Sequence, residues 1–274
     1  MATITRNGAT IAYTDTGTPP GRPDPSTIVF GHGLLFSGWM FHPQINALGE
    51  RYRCITVDWR GQGGTPASAD GYDMETLVGD AIAVIDALGV APVHWVGLSM
   101  GGFIGQRIAA RHGELLRSLT LLDTSAGPED PSKVGQYKLL GLIFRLFGIG
   151  PAKKKVLPLM FGPTFLADPA SKPVIDEWVK RLKRCDRAGV RKAVLGVANR
   201  ASVEEEIANI NVPTLVVVGA DDQATPPDQA ERIVERIPGA RLELVAHCGH
   251  TSTLEQPAVI TSLLEGFLAT VDQQ

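Results

Sequence analysis

The sequence predicts an α/β protein in which a mostly parallel sheet carries helices on both faces. Short β-branched, apolar runs alternate with amphipathic segments of helical spacing. The runs are apolar throughout, as strands buried on both faces are. The alternation lapses once, from about residue 126 to 211, where only helical segments occur. The chain is therefore read as a core, residues 1–125 and 212–274, with an inserted helical cap, residues 126–211.

Taken in order, "MATITRNGATIAYTDTG" alternates polar and apolar residues and reads as a hairpin. It lacks the basic start and apolar centre of a signal peptide, so a cytoplasmic location is expected. A Pro/Gly-rich connector leads to "TIVFGHG", a buried strand ending in a tight turn. Trp39 to Leu48 has helical spacing, "YRCITVDW" is a second strand, and "RGQGGTP" closes it as a loop. "METLVGDAIAVIDALGV" is a helix with Gly89 placed to cap it. "PVHWVGLS", "MGGFIGQRIAARHG" and "LRSLTLLDT" follow as strand, helix and strand. After the helical stretch, "VPTLVVVGADD" resumes the sheet, "PDQAERIVERIPG" is a helix, "ARLELVAH" a strand, and "QPAVITSLLEGFLATV" the closing helix.

Composition narrows the function. With 274 residues, 44% hydrophobic and 20% charged, the chain suits a single large core. A net charge of −3 offers no basic field for a phosphate backbone, so no nucleic-acid partner is expected. The richest apolar stretch, "LLGLIFRLFGIG", is broken by Arg145 and glycines, which excludes a membrane span and suits a surface or cap helix. Its residues are read first as glue between cap and core, and a lipid-facing surface is the lesser reading. The "AKKK" run, Lys153 to Lys155, reads as a solvated face. Cys54, Cys185 and Cys248 are widely spaced without a CxxC, which argues against disulfides and a zinc site.

"HWVGLSMGGFIG" carries the chemistry. A serine nucleophile at a sharp strand-to-helix turn needs small neighbours, and Gly97 and Gly101 supply the room around Ser99. The turn also aims the first helical N–H, that of Met100, at any anion formed there. Such a serine needs a histidine base and an orienting carboxylate. His250, in "HCGHTSTLEQP" beyond the last strand, is the base, with His247 in a supporting position. Asp221 and Asp222 both follow "VVVGA", and either suits the acid.

The stretches "GHGLLFSGWMFHPQI", "VDWRGQGGT", "VGLSMGGFIGQRIAARH", "VVVGADDQATPP" and "CGHTSTLEQP" resemble the α/β-hydrolase superfamily across nearly the whole chain. Within it the sequence is similar to the carboxylesterase, enol-lactonase and cofactor-free haloperoxidase (perhydrolase) group. The resemblance implies a serine hydrolase of carboxylic esters or lactones with Ser99, Asp222 and His250 as catalytic residues; the alternatives are a hydrolase-fold enzyme of other chemistry, perhydrolysis or carbon–carbon bond hydrolysis, and a non-catalytic ligand-binding protein. It assigns the oxyanion-binding N–H groups to Leu34 and Met100. Asp123, at the end of the strand before the cap, is the competing acid, because some relatives place it there. Relatives often carry an aromatic residue where Leu34 stands. The "DWRGQGGT" loop is read as structural, with Asp58 and Arg60 fixing it by hydrogen bonds and an ion pair, and His32 as bonded within its own turn. Leu35, Trp39 and Trp178 are candidates for the pocket wall. No metal or cofactor is implied; the expected partner is a small ester or lactone, and whether the chain forms a homodimer is left open.

Overall fold

The computed structural model describes residues 1–273. Its strands are β1 (Ala2–Arg6), β2 (Ala9–Asp15), β3 (Thr27–Gly31), β4 (Arg53–Val57), β5 (Val93–Leu98), β6 (Leu116–Leu122), β7 (Thr214–Gly219) and β8 (Arg241–Val245). They form one sheet in the order β1-β2-β4-β3-β5-β6-β7-β8. The β1–β2 hairpin and the β2–β4 pair are antiparallel, and the remaining pairs are parallel.

β3, β5 and β7 are buried at every position, which accounts for their unbroken apolar runs. In β8 Val245 alone is buried, because the strand lies at the sheet edge with one side unpaired. Side chains still alternate between two cores. Val29, Trp95 and Val216 pack beneath α2 (Met74–Leu88), α3 (Met100–Arg111) and α9 (Pro227–Arg236), whereas Phe30, Val96 and Val217 meet α1 (His42–Leu48) and α11 (Pro257–Asp272). Asp73 caps α2 by accepting from Thr76 N at 2.9 Å, and Gly89 ends it at φ 60°. The helix expected from Trp39 begins instead as a 3-10 turn, Gly38–Phe41, and becomes α1 only at His42, where Pro43 suits the first turn.

Between β6 and β7 come α4 (Pro131–Phe147), α5 (Ile149–Met160), α6 (Pro163–Ala167), α7 (Lys172–Leu182) and α8 (Arg187–Ala198), with no strand among them. The short α10 (Ser252–Glu255) precedes α11. Phe144, Val156, Trp178 and Val190 join these helices to the core on the α1 and α11 side. β3 pairs with β4 on one side and β5 on the other. The loops leaving β3 and β5 therefore diverge, and a crevice opens between them at the carboxyl edge of the sheet.

Candidate active site

Ser99 stands between β5 and α3 with φ 51° and ψ −109°, backbone angles that a residue with a Cβ rarely adopts. Three hydrogen bonds hold it there. Its N–H donates to Leu122 O at 2.9 Å, and its carbonyl accepts from Phe103 N at 2.9 Å and Thr124 Oγ1 at 2.8 Å. A Cβ on Gly97 would strike the Gly101 carbonyl, and one on Gly101 would strike the carbonyl of Gly31. Strand and helix meet through bare backbone, and the glycines of the motif are what allow it.

His250 follows β8 and is buried beside Asp222, which follows β7. Its Nδ1 lies 2.8 Å from Asp222 Oδ2. An ionised carboxylate only accepts, so Nδ1 carries the proton and Nε2 is left with its lone pair. Asp222 is itself fixed: Oδ1 accepts from Ala224 N at 2.8 Å and Thr225 N at 3.0 Å, and Oδ2 accepts from Thr225 Oγ1 at 2.9 Å. Burial disfavours the His250 cation, but the charge and hydrogen bond of Asp222, chief among its acidic neighbours, outweigh it. The ring's pKa consequently stands above its ordinary value.

Asp123 is buried nearby at φ 46°, bonded away from the imidazole. Its Oδ1 accepts from Gly219 N at 2.9 Å and its Oδ2 from Ser252 Oγ at 2.5 Å. Burial first, and repulsion from Asp222 second, push its carboxyl up to about 8. Asp221 is half-exposed. His247 is exposed, at φ 54°, so its expected supporting position is not found: it sits on the outer side of the turn that carries His250 inward.

Glu255, which the sequence reading passed over, anchors that turn. Its carboxylate accepts from Gly249 N at 2.8 Å, Thr251 N at 3.0 Å and Gly162 N at 2.9 Å, bracketing His250 and tying it to the residue after Phe161. The available signal was an acidic residue one turn past the histidine. Thr225 lies beside the pair, its hydroxyl donating to Asp222 Oδ2 and standing 3.3 Å from His250 Nδ1.

On the other side of the crevice, a Cβ on Gly33 would touch Leu98 and Ser99, which places the turn after β3 against the serine. Among the described residues no acceptor is bonded to the N–H of Leu34 or of Met100. Leu35, at φ 68°, has its N–H held by Gln62 Oε1 at 2.7 Å and its carbonyl by Trp178 Nε1 at 3.1 Å. His32 Nδ1–H donates to Gly33 O at 2.7 Å while its Nε2 accepts from Trp59 N at 3.0 Å. Accepting at Nε2 requires the neutral ring, and burial lowers its pKa accordingly. Arg60 forms its ion pair with Asp80 of α2, at 2.7 Å, and Asp58 instead accepts from Gly38 N and Gly64 N, each at 2.8 Å.

Ser99 and His250 line one cavity of about 870 Å³, the open space at its mouth included. Its wall is largely apolar, with Leu140 and Phe144 of α4, Val156 and Leu159 of α5, and Val190 of α8. Leu34 and Leu35 belong to it; Trp39 and Trp178 do not. Trp39 lines a separate pocket with Asp58 and Arg181, its ring beneath the Arg181 guanidinium. Trp178 is fully buried, packed against Phe36 and Phe161, with its N–H spent on Leu35. Among the described residues, no cluster of three His, Cys, Asp or Glu side chains could hold a metal, and no helix is long and apolar enough to cross a membrane.

The chain is 29% identical over 267 residues to BpoC, a candidate non-heme bromoperoxidase of Mycobacterium tuberculosis, covering 95% of this chain and 98% of that one. The enol-lactonase from Burkholderia xenovorans LB400 superposes with a TM-score of 0.89 at 26% identity, covering 98% of this chain and all of that one. A thermophilic esterase from Thermogutta terrifontis superposes with a TM-score of 0.88 at 26% identity, covering 98% and 97%. The family model described as the alpha/beta hydrolase fold matches residues 26–257, from the approach to β3 through the turn that bears His250. The chain belongs to the α/β-hydrolase fold family.

Proposed function

We propose that the chain hydrolyses a carboxylic ester or lactone through an acyl-enzyme on Ser99. The observation that supports this best is the commitment of His250 Nδ1 to Asp222 at 2.8 Å, which leaves a basic Nε2 for the cavity that Ser99 shares. In this reading Nε2 takes the proton as Ser99 Oγ bonds to the carbonyl carbon. The oxyanion accepts from the N–H groups of Leu34 and Met100, with the amino end of α3 adding its dipole. The C–O bond then breaks, and the departing alkoxide takes the proton from Nε2; in a lactone it stays tethered to the acyl group. Water, giving a proton to the same nitrogen, attacks the acyl-enzyme and releases Ser99. Asp222 holds the tautomer and steadies the imidazolium between the two proton transfers.

Residues 126–211 act in this reading as a cap whose α4, α5 and α8 set the acyl preference, and their apolar lining favours an uncharged, hydrocarbon-rich group. The likeness to an enol-lactonase and an esterase supports the reaction class. The test combines p-nitrophenyl esters of increasing acyl length, a small lactone, and a fluorophosphonate probe read by intact mass. Turnover and a single adduct, both lost in Ser99→Ala without a change in thermal unfolding, are expected. An adduct without turnover would remove the ester and lactone reading, and the absence of an adduct would remove the acyl-enzyme.

A further inference from the structure

α4 has two apolar faces. Its inner face, Leu140, Gly141 and Phe144, walls the cavity described above. Its outer face presents Leu139, Leu142, Leu146 and Phe147, which are 56, 40, 56 and 65% exposed. Among the described residues these are four of the seven large apolar side chains that stand most open to solvent, the others being Met1, Leu244 and Val259, far apart in sequence. Leu139, Leu142 and Leu146 lie three and four residues apart, so they form one stripe along the helix.

The charge around the stripe has one sign. Lys138 and Arg145 are exposed on the same face of α4, and Arg187 reaches the end of the helix, where its guanidinium donates to Leu146 O at 3.2 Å. From Pro131 to Ala167 the chain contains six Lys or Arg and no Asp or Glu. Residues 126–211 hold 15 Lys and Arg against 9 Asp and Glu, while the rest of the chain holds 11 against 20. A protein of net charge −3 thus concentrates its positive charge in the segment that bears the exposed leucines. The acids nearest the start of α4 are engaged: Glu129 pairs with Arg200 at 2.8 Å, and Asp130 caps the helix through Ser132 N at 2.8 Å.

We infer that the outer face of α4 docks on an anionic lipid surface, with Leu139, Leu142, Leu146 and Phe147 entering the interface and Lys138, Arg145 and Arg187 meeting the headgroups. An apolar stripe edged by long cationic side chains, with no acid on the helix, is the pattern of a helix that lies in the plane of a membrane. A second copy pairing through the same face would bring these cations together, so charge favours lipid over self-association.

The test is sedimentation of the full chain with vesicles of phosphatidylcholine alone and of phosphatidylcholine mixed with phosphatidylglycerol. Binding to the mixed vesicles, reversed by high salt, is expected. Two variants, Leu139→Ser/Leu142→Ser/Leu146→Ser and Lys138→Glu/Arg145→Glu, should each lose roughly tenfold or more of that binding while keeping the circular dichroism of the parent. None of the five side chains lines the cavity, so turnover of a soluble ester should be unchanged. The charge-reversal variant leaves the apolar face intact and serves even if the serine variant fails to fold. The proposal is overturned if the parent stays in the supernatant, if charge reversal leaves binding intact, or if sedimentation velocity finds a dimer that the serine variant dissociates.

Discussion

Asp123 and Asp222 leave the ends of neighbouring strands close to the same imidazole, but Asp222 is the one that binds it, while Asp123 is bonded to Ser252. Asp222→Asn should therefore lower kcat/KM by about a thousand- to ten-thousand-fold, the scale on which loss of the orienting carboxylate acts in a serine triad. Asp123→Asn should cost less than about tenfold, since the His250 tautomer is untouched. Steady-state kinetics on both variants checks the assignment, and the reverse order would move the acid to Asp123.

The pH profile follows from the raised pKa of His250. In the proposed mechanism the base must be neutral to act, so raising its pKa displaces the acid limb of kcat/KM upward. The midpoint should lie above 6.5, the ordinary imidazole value. An acid limb centred below 6.5 in the free enzyme would contradict the placement of the Asp222 carboxylate against the ring.

Asp123 should also be visible in stability. Its carboxyl is raised from 3.8 to about 8 in the folded chain, so its protonated form is favoured by folding. That contribution is complete below pH 4 and is lost as the pH climbs through about 8. Removing the group should flatten the dependence: relative to the parent, Asp123→Asn should gain stability between pH 4 and pH 8, as read by urea denaturation across the range.

The elbow glycines give a steric prediction. A Cβ on Gly101 meets the Gly31 carbonyl, a backbone group with nowhere to move. Gly101→Ala should cost about 3 kcal/mol or more. Gly135→Ala, in α4 where a Cβ meets nothing within 4 Å, should instead stabilise by about 0.5–1 kcal/mol through helix propensity. Paired denaturation curves separate the two.

The strands were legible because parallel strands buried on both faces leave a continuous apolar record, and the turn at Ser99 because its glycines are needed where they stand. The pairing of Asp222 with His250 was not readable from the residues alone: Asp221, Asp222 and Asp123 all follow strands at the same sheet edge, and the turn made by Ala224 and Thr225 around one carboxylate selects among them. Trp39 and Trp178 misled because a tryptophan fills a core as readily as it lines a pocket, and only the position of Leu35 O shows where the Trp178 N–H goes. Arg60 took Asp80, twenty residues on, over the nearby Asp58, since Asp58 is already engaged by backbone N–H groups. The half-exposed leucines of α4 carried no sign of which face would be left open, because both faces of that helix are apolar.

The clasp on Leu35 has a mechanical consequence. Trp178 belongs to α7 and grips the peptide just beyond Leu34, while Gln62 grips the same residue from the core. α7 and the turn after β3 are thereby geared together, so tilting this helix would pull on the peptide that follows the Leu34 amide, the group proposed to bind the oxyanion.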